Sequence, residues 1–327
     1  MTVFITGAAG FIGSHLAERL IGLGEIVHAL DNFSTGNAEN VKHLKDNERF
    51  HLHEGNVLDV HTVNRLSEKA DVIYHLAAVV GVKLVFDQPV QTIDTNVTGT
   101  SNILDAATRH GCRVVITSSS EVYGTGNKQR TPFKEADPLS FRSSLRWSYA
   151  CSKALDEYLA RAYSREKKLP VSIARLFNCV GPRQTGAYGM VIPSFVSQAL
   201  NEEPITVHGD GEQVRCFAWV GDVVDNLIKL MQEPKAEGES FNVGSDEPVT
   251  INELAKKIKE KCNSTSPIVH IPYDEAFGVG FEDIRHRVPD LTKLRCIVKS
   301  NPVMSLDTIL SHIISSGKAS LDESEGN

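Results

Sequence analysis

The sequence has few of the features that mark nucleic-acid-binding, membrane or secreted proteins. Its 327 residues carry 34 Lys and Arg against 41 Asp and Glu, a formal net charge of −7. That balance provides no basic surface for a phosphate backbone, so a nucleic-acid partner is not expected. No apolar run reaches the roughly 20 residues that a membrane-spanning helix needs. No basic segment precedes the first apolar residues, so neither membrane insertion nor a signal peptide is expected.

Cysteine is sparse and scattered along the chain. The six cysteines are Cys112, Cys151, Cys179, Cys216, Cys262 and Cys296. They form no CxxC pair and no cluster with metal-ligand spacing, so the sequence predicts neither a disulfide framework nor a metal site. They are expected to be small apolar residues in a reducing, cytoplasmic environment. Hydrophobic residues make up 41% of the chain, enough for a substantial core.

The first half of the chain alternates short apolar segments with amphipathic ones. The predicted strands are 3–6, 26–30, 50–54, 72–76, 114–118 and 171–175. The predicted helices are 11–23, 57–69, 91–110 and 148–165. This β-α alternation predicts an α/β fold with a doubly wound parallel sheet of the Rossmann type.

After Asn178 the pattern becomes less regular. The predicted elements there are helices 191–201, 222–233 and 251–262 and strands 205–208, 216–220 and 241–244. We therefore expect a Rossmann domain over 1–178 and a smaller lobe over 179–316, whose chain crosses back into the sheet. The Ser/Glu/Gly-rich tail 317–327 is predicted to be disordered.

A glycine-rich turn follows the first strand and opens the first helix, with the sequence Gly7-Ala8-Ala9-Gly10-Phe11-Ile12-Gly13. Glycines in this position allow a tight turn and a close approach of the backbone to a pyrophosphate, which the helix N-terminus also attracts. The GxxGxxG spacing differs from the more familiar GxGxxG. Its place between strand and helix nevertheless favours a dinucleotide site formed by Gly7, Gly10, Phe11, Ile12 and Gly13.

Asp31, at the end of the second strand, indicates which dinucleotide binds. A carboxylate there would hydrogen-bond the adenosine ribose and repel a 2′-phosphate, and the following Asn32-Phe33-Ser34 offers no arginine to hold one. The sequence therefore favours NAD over NADP. Asn56 and Val57, after the third strand, either border the adenine or form an ordinary turn.

Tyr149 and Lys153 lie four residues apart at the start of a predicted helix, so both side chains share one helix face. A phenol has a pKa of about 10, and a nearby ammonium lowers that pKa by favouring the phenolate. Such a pair could remove a proton from an alcohol while a hydride leaves the same carbon. YxxxK alone is more often a surface Tyr/Lys pair than a catalytic one, so the surrounding motifs must support the catalytic interpretation.

GxxGxxG, Ser118-Ser119-Ser120-Glu121-Val122-Tyr123-Gly124 and YxxxK together resemble the extended short-chain dehydrogenases/reductases that modify nucleotide sugars. The resemblance runs from residue 3 to about 314 and includes His75-Leu76-Ala77-Ala78 and Asn96-Val97-Thr98-Gly99-Thr100. It implies that Leu76, Ala77, Ala78 and Asn96 belong to the cofactor site. It also implies that Tyr149 is the base, Lys153 holds the nicotinamide ribose and Ser119 binds the reacting hydroxyl. Hydride transfer from sugar C4 to NAD⁺ would leave a 4-keto sugar.

The resemblance further implies a second lobe that grips a UDP-sugar. The matching substrate positions are Ser120, Asn178, Val191, Phe195, Thr206, His208, Arg215 and Arg287. Asn178 and the two arginines match positions near the diphosphate, for which the arginine fork is suited. His208 stands where many relatives carry a stacking aromatic residue. Helices 91–110 and 148–165 resemble those that pair such enzymes into homodimers, although their apolar faces would also suit packing in a monomer.

Three fates of the 4-keto sugar compete, and Glu121 is the residue that discriminates among them. Ser119-Ser120-Glu121 replaces the Thr-Asp-Glu typical of dTDP-glucose dehydratases, so the acid for a departing hydroxyl is missing. Ser-Glu and the stretch Arg146-Trp147-Ser148-Tyr149 are similar to UDP-glucuronate decarboxylases. We therefore rank decarboxylase first, UDP-glucose or UDP-glucuronate 4-epimerase second and 4,6-dehydratase third. An inactive NAD-sensing protein of the same fold is disfavoured because the Tyr, Lys and Ser are all present.

Overall fold

The computed structural model describes residues 1–81, 85, 87–125, 131–141, 143–184, 190–277, 283–300 and 304–325, with side chains to 318. Its centre is a parallel sheet of seven strands in the order β11-β6-β5-β4-β1-β2-β3. These strands are β1 (Thr2–Thr6), β2 (Ile26–Asp31), β3 (Phe50–Glu54), β4 (Val72–His75), β5 (Arg113–Ser119), β6 (Val171–Leu176) and β11 (Ser240–Val243). From β3 to β6 this is the 3-2-1-4-5-6 order of a Rossmann sheet, so the predicted fold class is confirmed.

Helices cover both faces of the sheet because successive strand residues point to opposite sides. Val3 and Ile5 of β1 pack on one side, in a core shared with the helices α1 and α6. Phe4 points to the other side, into a core shared with α2, α3 and α4. The helices are α1 (Phe11–Gly22), α2 (Val60–Ser67), α3 (Pro89–His110), α4 (Ser148–Lys167) and α6 (Val220–Gln232).

A second core surrounds Ile192, Ile205, Leu254 and Ile309. The other helices are α5 (Val191–Leu200), α7 (Ile251–Cys262), α8 (Tyr273–Phe277), α9 (Thr292–Val298) and α10 (Leu306–Glu325), of which α5, α7 and α10 build this core. The other strands are short: β7 (Cys179–Val180), β8 (Ile205–His208), β9 (Val214–Cys216), β10 (Ala218–Trp219), β12 (Pro248–Thr250), β13 (Ile268–Ile271) and β14 (His286–Arg287). Helix α9 packs against the sheet core instead. The division of the chain at 178/179 remains a prediction.

Two predicted elements differ from the structure. The strand predicted over 216–220 is two strands, because Cys216 pairs with β12 whereas Ala218 and Trp219 pair with β7. The tail 317–327 was predicted to be disordered, whereas in the structure α10 runs to Glu325. Ile309 and Ile313 anchor that helix in the core, and an established helix gains one backbone hydrogen bond for each residue added. Within the described residues, no helix combines the length and apolar character needed to cross a membrane.

Candidate active site

One cavity of about 670 Å³ lies at the carboxyl ends of the parallel strands and extends into the second core. This edge of a doubly wound sheet, where the strand order reverses between β1 and β4, is where such folds bind ligands. The cavity wall includes all of the predicted catalytic, cofactor and substrate residues except Asn96. The structure therefore gathers residues that are up to 280 positions apart in the sequence, from Gly7 to Arg287.

The glycine turn has no room for larger side chains. Gly7 has a φ of 71°, and a Cβ added there would lie 2.8 Å from the backbone nitrogen of Ala77. A Cβ on Gly13 would lie 2.0 Å from the carbonyl oxygen of Gly7. Gly10 precedes α1 and provides no side-chain cap, and the first residues of the helix, Phe11, Ile12 and Gly13, line the cavity. These features fit the pyrophosphate of a dinucleotide.

Asp31 is buried, and its carboxylate is held in a fixed orientation. Its Oδ2 accepts a hydrogen bond from the Ala9 N–H at 2.8 Å, and its Oδ1 accepts one from the Phe33 N–H at 2.8 Å. Each oxygen keeps a lone pair for a ribose hydroxyl. Asn32 lines the cavity beside it, and the segment 32–37 contains no arginine. The arrangement fits NAD better than NADP.

The outer wall of the cofactor end comes from two loops. Asn56 accepts a hydrogen bond from the Leu58 N–H at 3.0 Å and also lines the cavity with Val57. It therefore forms a turn and a cavity wall at once. Leu76 and Ala77 line the cavity after β4.

Asn96 does not line the cavity with the other predicted cofactor residues. It is completely buried. Its Oδ1 accepts a hydrogen bond from the Val79 N–H at 2.9 Å, and its Nδ2 donates to Ser152 Oγ at 3.0 Å. Both polar ends of the amide are thus taken by the protein. Asn96 thus supports the loop after β4, and its contact with the cofactor stays a prediction.

The catalytic set meets where β5 ends beside the start of α4. Tyr149 hydrogen-bonds Ser119, whose Oγ also accepts the Glu121 N–H at 3.2 Å. The Nζ of Lys153 donates to Asp156 Oδ2 at 3.0 Å. Burial and then the Glu121 charge raise the pKa of Tyr149 above its ordinary value, although the Ser119 hydrogen bond opposes the rise. The Lys153 ammonium, which was predicted to lower this pKa, is paired with Asp156, and the net shift of the Tyr149 pKa is upward.

Glu121 is held between two arginines at the centre of the cavity. Its oxygens lie 2.9 Å from Arg146 Nη1 and 3.6 Å from Arg287 Nη2. Burial acts to raise the pKa of Glu121, but the charges of Arg146 and Arg287 outweigh it and hold the pKa below its ordinary value. Glu121 is thus a carboxylate, next to the Tyr149–Ser119 pair. Arg146 was recognised only as part of a motif, and its place before Tyr149 was the available signal.

The other end of the cavity is rich in arginine. Arg215 and Arg287 are register partners on β9 and β14. Asp283 accepts hydrogen bonds from Arg215 Nη2 at 2.7 Å and from the Tyr273 hydroxyl at 2.9 Å. Burial, with the nearby Arg215 charge, lowers the pKa of Arg287 to about 10. Asn178 donates to the Cys216 carbonyl at 2.8 Å. Neither Tyr273 nor Asp283 was predicted, since an isolated Tyr or Asp gives no signal in the sequence.

The last part of the wall has mixed polarity. Val191 and the buried Phe195 lie on α5, and Thr206 and His208 lie on β8. The Thr206 N–H donates to Gln198 Oε1 at 3.0 Å, which ties β8 to α5. Burial lowers the pKa of His208, so its ring is neutral at pH 7. In the part of the chain that the structure describes, no group of three or more His, Cys, Asp or Glu is arranged to hold a metal ion.

The chain is similar over most of its length to proteins named for reactions of nucleotide sugars. A family model described as GDP-mannose 4,6 dehydratase matches residues 4–313. A UDP-N-acetyl-alpha-D-glucosaminuronate decarboxylase of Bacillus cytotoxicus is 41% identical, covering 95% of each chain. UDP-glucuronic acid decarboxylase 2 of Arabidopsis thaliana is 39% identical, covering 94% of this chain and 66% of the plant protein.

A solved structure also matches almost the whole chain. It is a variant of UDP-glucuronic acid 4-epimerase from Bacillus cereus, in complex with UDP-4-deoxy-4-fluoro-glucuronic acid and NAD. The TM-score is 0.87 at 25% identity, covering 98% of this chain and 99% of that one. The similarity therefore extends over both halves of the cavity.

Proposed function

This chain belongs to the GDP-mannose 4,6-dehydratase family of extended short-chain dehydrogenases/reductases, whose members act on nucleotide sugars, and from that premise we propose that it is an NAD-dependent UDP-glucuronate decarboxylase. The observation that carries the proposal is the charged Glu121 beside Ser119 and Tyr149, with Ser120 where a dehydratase would need an acid. The two decarboxylases at 39–41% identity support the same reaction.

NAD⁺ is the proposed cofactor, and when bound it would accept the hydride from sugar C4. The glycine turn and Asp31 would hold its pyrophosphate and adenosine ribose. Tyr149 would take the proton of the C4 hydroxyl, with Ser119 orienting that hydroxyl through a shared hydrogen bond. Lys153 would hold the nicotinamide ribose. When bound, the positively charged nicotinamide ring would oppose the effect of burial on the Tyr149 pKa.

Carbon–carbon cleavage then follows from the chemistry of the oxidised sugar. A C4 carbonyl lies β to the C6 carboxylate, so the C5–C6 bond can break with its electron pair passing to C5 and the C4 oxygen, and CO₂ leaves. A proton must then be added at C5. Glu121 would order the sugar near C5 during these steps. Return of the hydride to C4 gives UDP-xylose; release before that return gives the UDP-4-keto-pentose.

The UDP part of the substrate is proposed to lie along the second half of the cavity. Asn178, Arg215 and Arg287 would face the diphosphate, since arginine donors match its oxygens. Val191, Phe195, Thr206 and His208 would surround the uridine. This placement leaves the uronate carboxylate near Glu121 and its two arginines.

Two observations favour a second candidate substrate and a second candidate reaction. The decarboxylase at 41% identity is named for a 2-acetamido uronate, which makes UDP-N-acetylglucosaminuronate the second candidate substrate. The similar solved structure is a UDP-glucuronic acid 4-epimerase, which makes 4-epimerisation of the same uronate the second candidate reaction.

A homodimer in the cytoplasm is also proposed. Val90 and Ile93 on α3 and Leu155 and Tyr158 on α4 are exposed apolar side chains at i, i+3 spacing. Such a face on adjacent helices suits a partner copy. All six cysteines are free thiols, in keeping with a reducing compartment.

The proposal is tested by incubating the full chain and NAD⁺ separately with UDP-glucuronate, UDP-N-acetylglucosaminuronate and UDP-glucose. We expect CO₂ and a UDP-pentose from UDP-glucuronate, identified by mass and NMR. CO₂ from the acetamido uronate alone would keep the reaction and change the substrate. UDP-galacturonate without CO₂ would replace decarboxylation by epimerisation.

A further inference from the structure

Arg146 and Glu121 form a two-pronged ion pair inside the cavity. Arg146 Nη1 lies 2.9 Å from Glu121 Oε2, and Nη2 donates to Oε1 at 3.3 Å. Both side chains are nearly buried, with 7% and 13% exposed. The contact of Arg287 is longer, with its Nη2 at 3.6 Å from Glu121 Oε1. Arg146 is thus the closer of the two arginines to Glu121.

The backbone around Arg146 places this pair between two catalytic elements. Arg146 lies in the 3-10 turn Leu145–Trp147, which leads directly into α4 and Tyr149. Its guanidinium carbon lies 5.4 Å from the ring centroid of Trp147, and that ring is buried against Ala150 and Ile284. Glu121 lies in the turn Ser120–Tyr123, directly after Ser119. The ion pair therefore connects the segment of Ser119 to the segment of Tyr149.

We propose that Arg146 is a positioning residue, which fixes the Glu121 carboxylate in its charged form and in a single orientation beside Tyr149 and Ser119. The inference rests on the proposed decarboxylation, in which Glu121 acts on the sugar after C4 oxidation. A bidentate arginine fork restricts a carboxylate more tightly than a single contact does. Without Arg146, Glu121 would remain buried, with Arg287 at 3.6 Å as the nearby cation.

The groups around Glu121 determine the effect of that removal on its charge. They are Arg146, Arg287, Asp283 and Tyr149, together with the Ser119 hydroxyl. Burial and the Asp283 charge raise the pKa of Glu121, whereas Arg146 and Arg287 lower it. Without Arg146 the balance shifts towards the protonated acid, so Glu121 would become neutral over part of the working pH range.

The test compares the full chain with the variants Arg146→Gln, Arg146→Lys, Glu121→Gln and the double Arg146→Gln/Glu121→Gln. Infrared spectra at neutral pH, without substrate, report whether a carboxyl group is protonated. We expect Arg146→Gln to show a protonated carboxyl band that is absent from the wild type and from the double variant. A spectrum of Arg146→Gln without that band would overturn the proposal.

Turnover gives the second measurement. In Arg146→Gln saturated with NAD⁺, CO₂ release from UDP-glucuronate should slow about a hundredfold through misplacement of Glu121, with unchanged UDP affinity. The acid limb of its pH–rate profile should move to higher pH. Arg146→Lys should show a smaller shift in the same direction, and it takes the place of Arg146→Gln if that variant does not fold. Adding Arg146→Gln to Glu121→Gln should have no further effect. A change in KM alone, or additive losses, would contradict the positioning role.

Arg295→Gln is the matched control, because Arg295 forms a similar two-pronged pair with Asp246 on the surface, at 2.8 and 2.9 Å. It should leave the infrared spectrum and the pH profile unchanged. If the wild type releases no CO₂ from any uronate, the proposed function fails, whereas the infrared comparison still decides the role of Arg146.

Discussion

At the scale of single residues, Tyr149 occupies an environment that disfavours its charged form. Its pKa is raised by burial and by Glu121, and Lys153 is paired with Asp156. Tyr149→Phe removes only the proton acceptor, so turnover should fall by about 10²–10⁴-fold while NAD⁺ binding remains. Steady-state rates and calorimetry check both parts. Tyr158→Phe, on the exposed side of the same helix, is the control and should keep full activity. Near-normal turnover of folded Tyr149→Phe would remove Tyr149 from the role of base.

The place of a residue in the candidate site could be predicted from the sequence where a motif determines the backbone around that residue. The glycine turn, Asp31 and the Tyr/Lys pair are of this kind, and the structure places them all on one cavity. Tyr273 and Asp283 come to Arg215 only through the fold. The raised pKa of Tyr149 and the burial of Asn96 likewise depend on residues that are distant in the sequence. No local sequence pattern indicates such contacts.

At the scale of elements, α3 and α4 pack side by side, with Asn96 of α3 bonded to Ser152 of α4. Their outer face exposes Val90, Leu155 and Tyr158, the last with 66% of its surface accessible. We predict that Leu155→Glu with Tyr158→Glu converts a dimer into a monomer, because two charges would be buried at the interface. Sedimentation measures the change, and Leu23→Glu, an exposed leucine on another surface, should have no effect. A wild-type monomer at high concentration would exclude the dimer.

Predicted elements were most accurate where the hydrophobic period was long and regular. Helix α7 (Ile251–Cys262) has the predicted bounds, helped by a capping box of Thr250 and Glu253. Short strands such as β14 (His286–Arg287) were missed, because two residues cannot display a period. That strand matters for the site, since it places Arg287 beside Arg215.

At the scale of the whole molecule, His75 connects the centre of the sheet to α3. Its Nδ1 lies 2.7 Å from Thr6 Oγ1, and its Nε2 lies 3.1 Å from Thr100 Oγ1. Burial, and then the Lys153 charge, lowers the pKa of His75 to about 3, whereas in the unfolded chain it is about 6.5. As the pH falls, His75 therefore binds a proton in the unfolded chain before it does so in the folded protein. The stabilisation of the folded protein from its neutral ring is complete above about pH 6.5 and is lost as the pH falls towards 3.

The loss from His75 alone amounts to about 1 kcal/mol at pH 5.5. We predict that His75→Gln reduces the difference in unfolding free energy between pH 7.5 and 5.5 by about that amount, whatever its effect on absolute stability. Urea unfolding at the two pH values measures it. His61→Gln, at an exposed position, should leave the difference unchanged. An equal pH dependence in wild type and His75→Gln would show that His75 is protonated in the folded state.

The central claim is that oxidation at C4 leads to loss of the C6 carboxylate. The most direct measurement follows UDP-glucuronate labelled with ¹³C at C6 and with deuterium at C4 through a single turnover with NAD⁺. We predict that the ¹³C leaves as CO₂ and that the deuterium appears in the reduced cofactor or back at C4 of a UDP-pentose. Recovery of the ¹³C in UDP-galacturonate, with no labelled CO₂, would contradict the account.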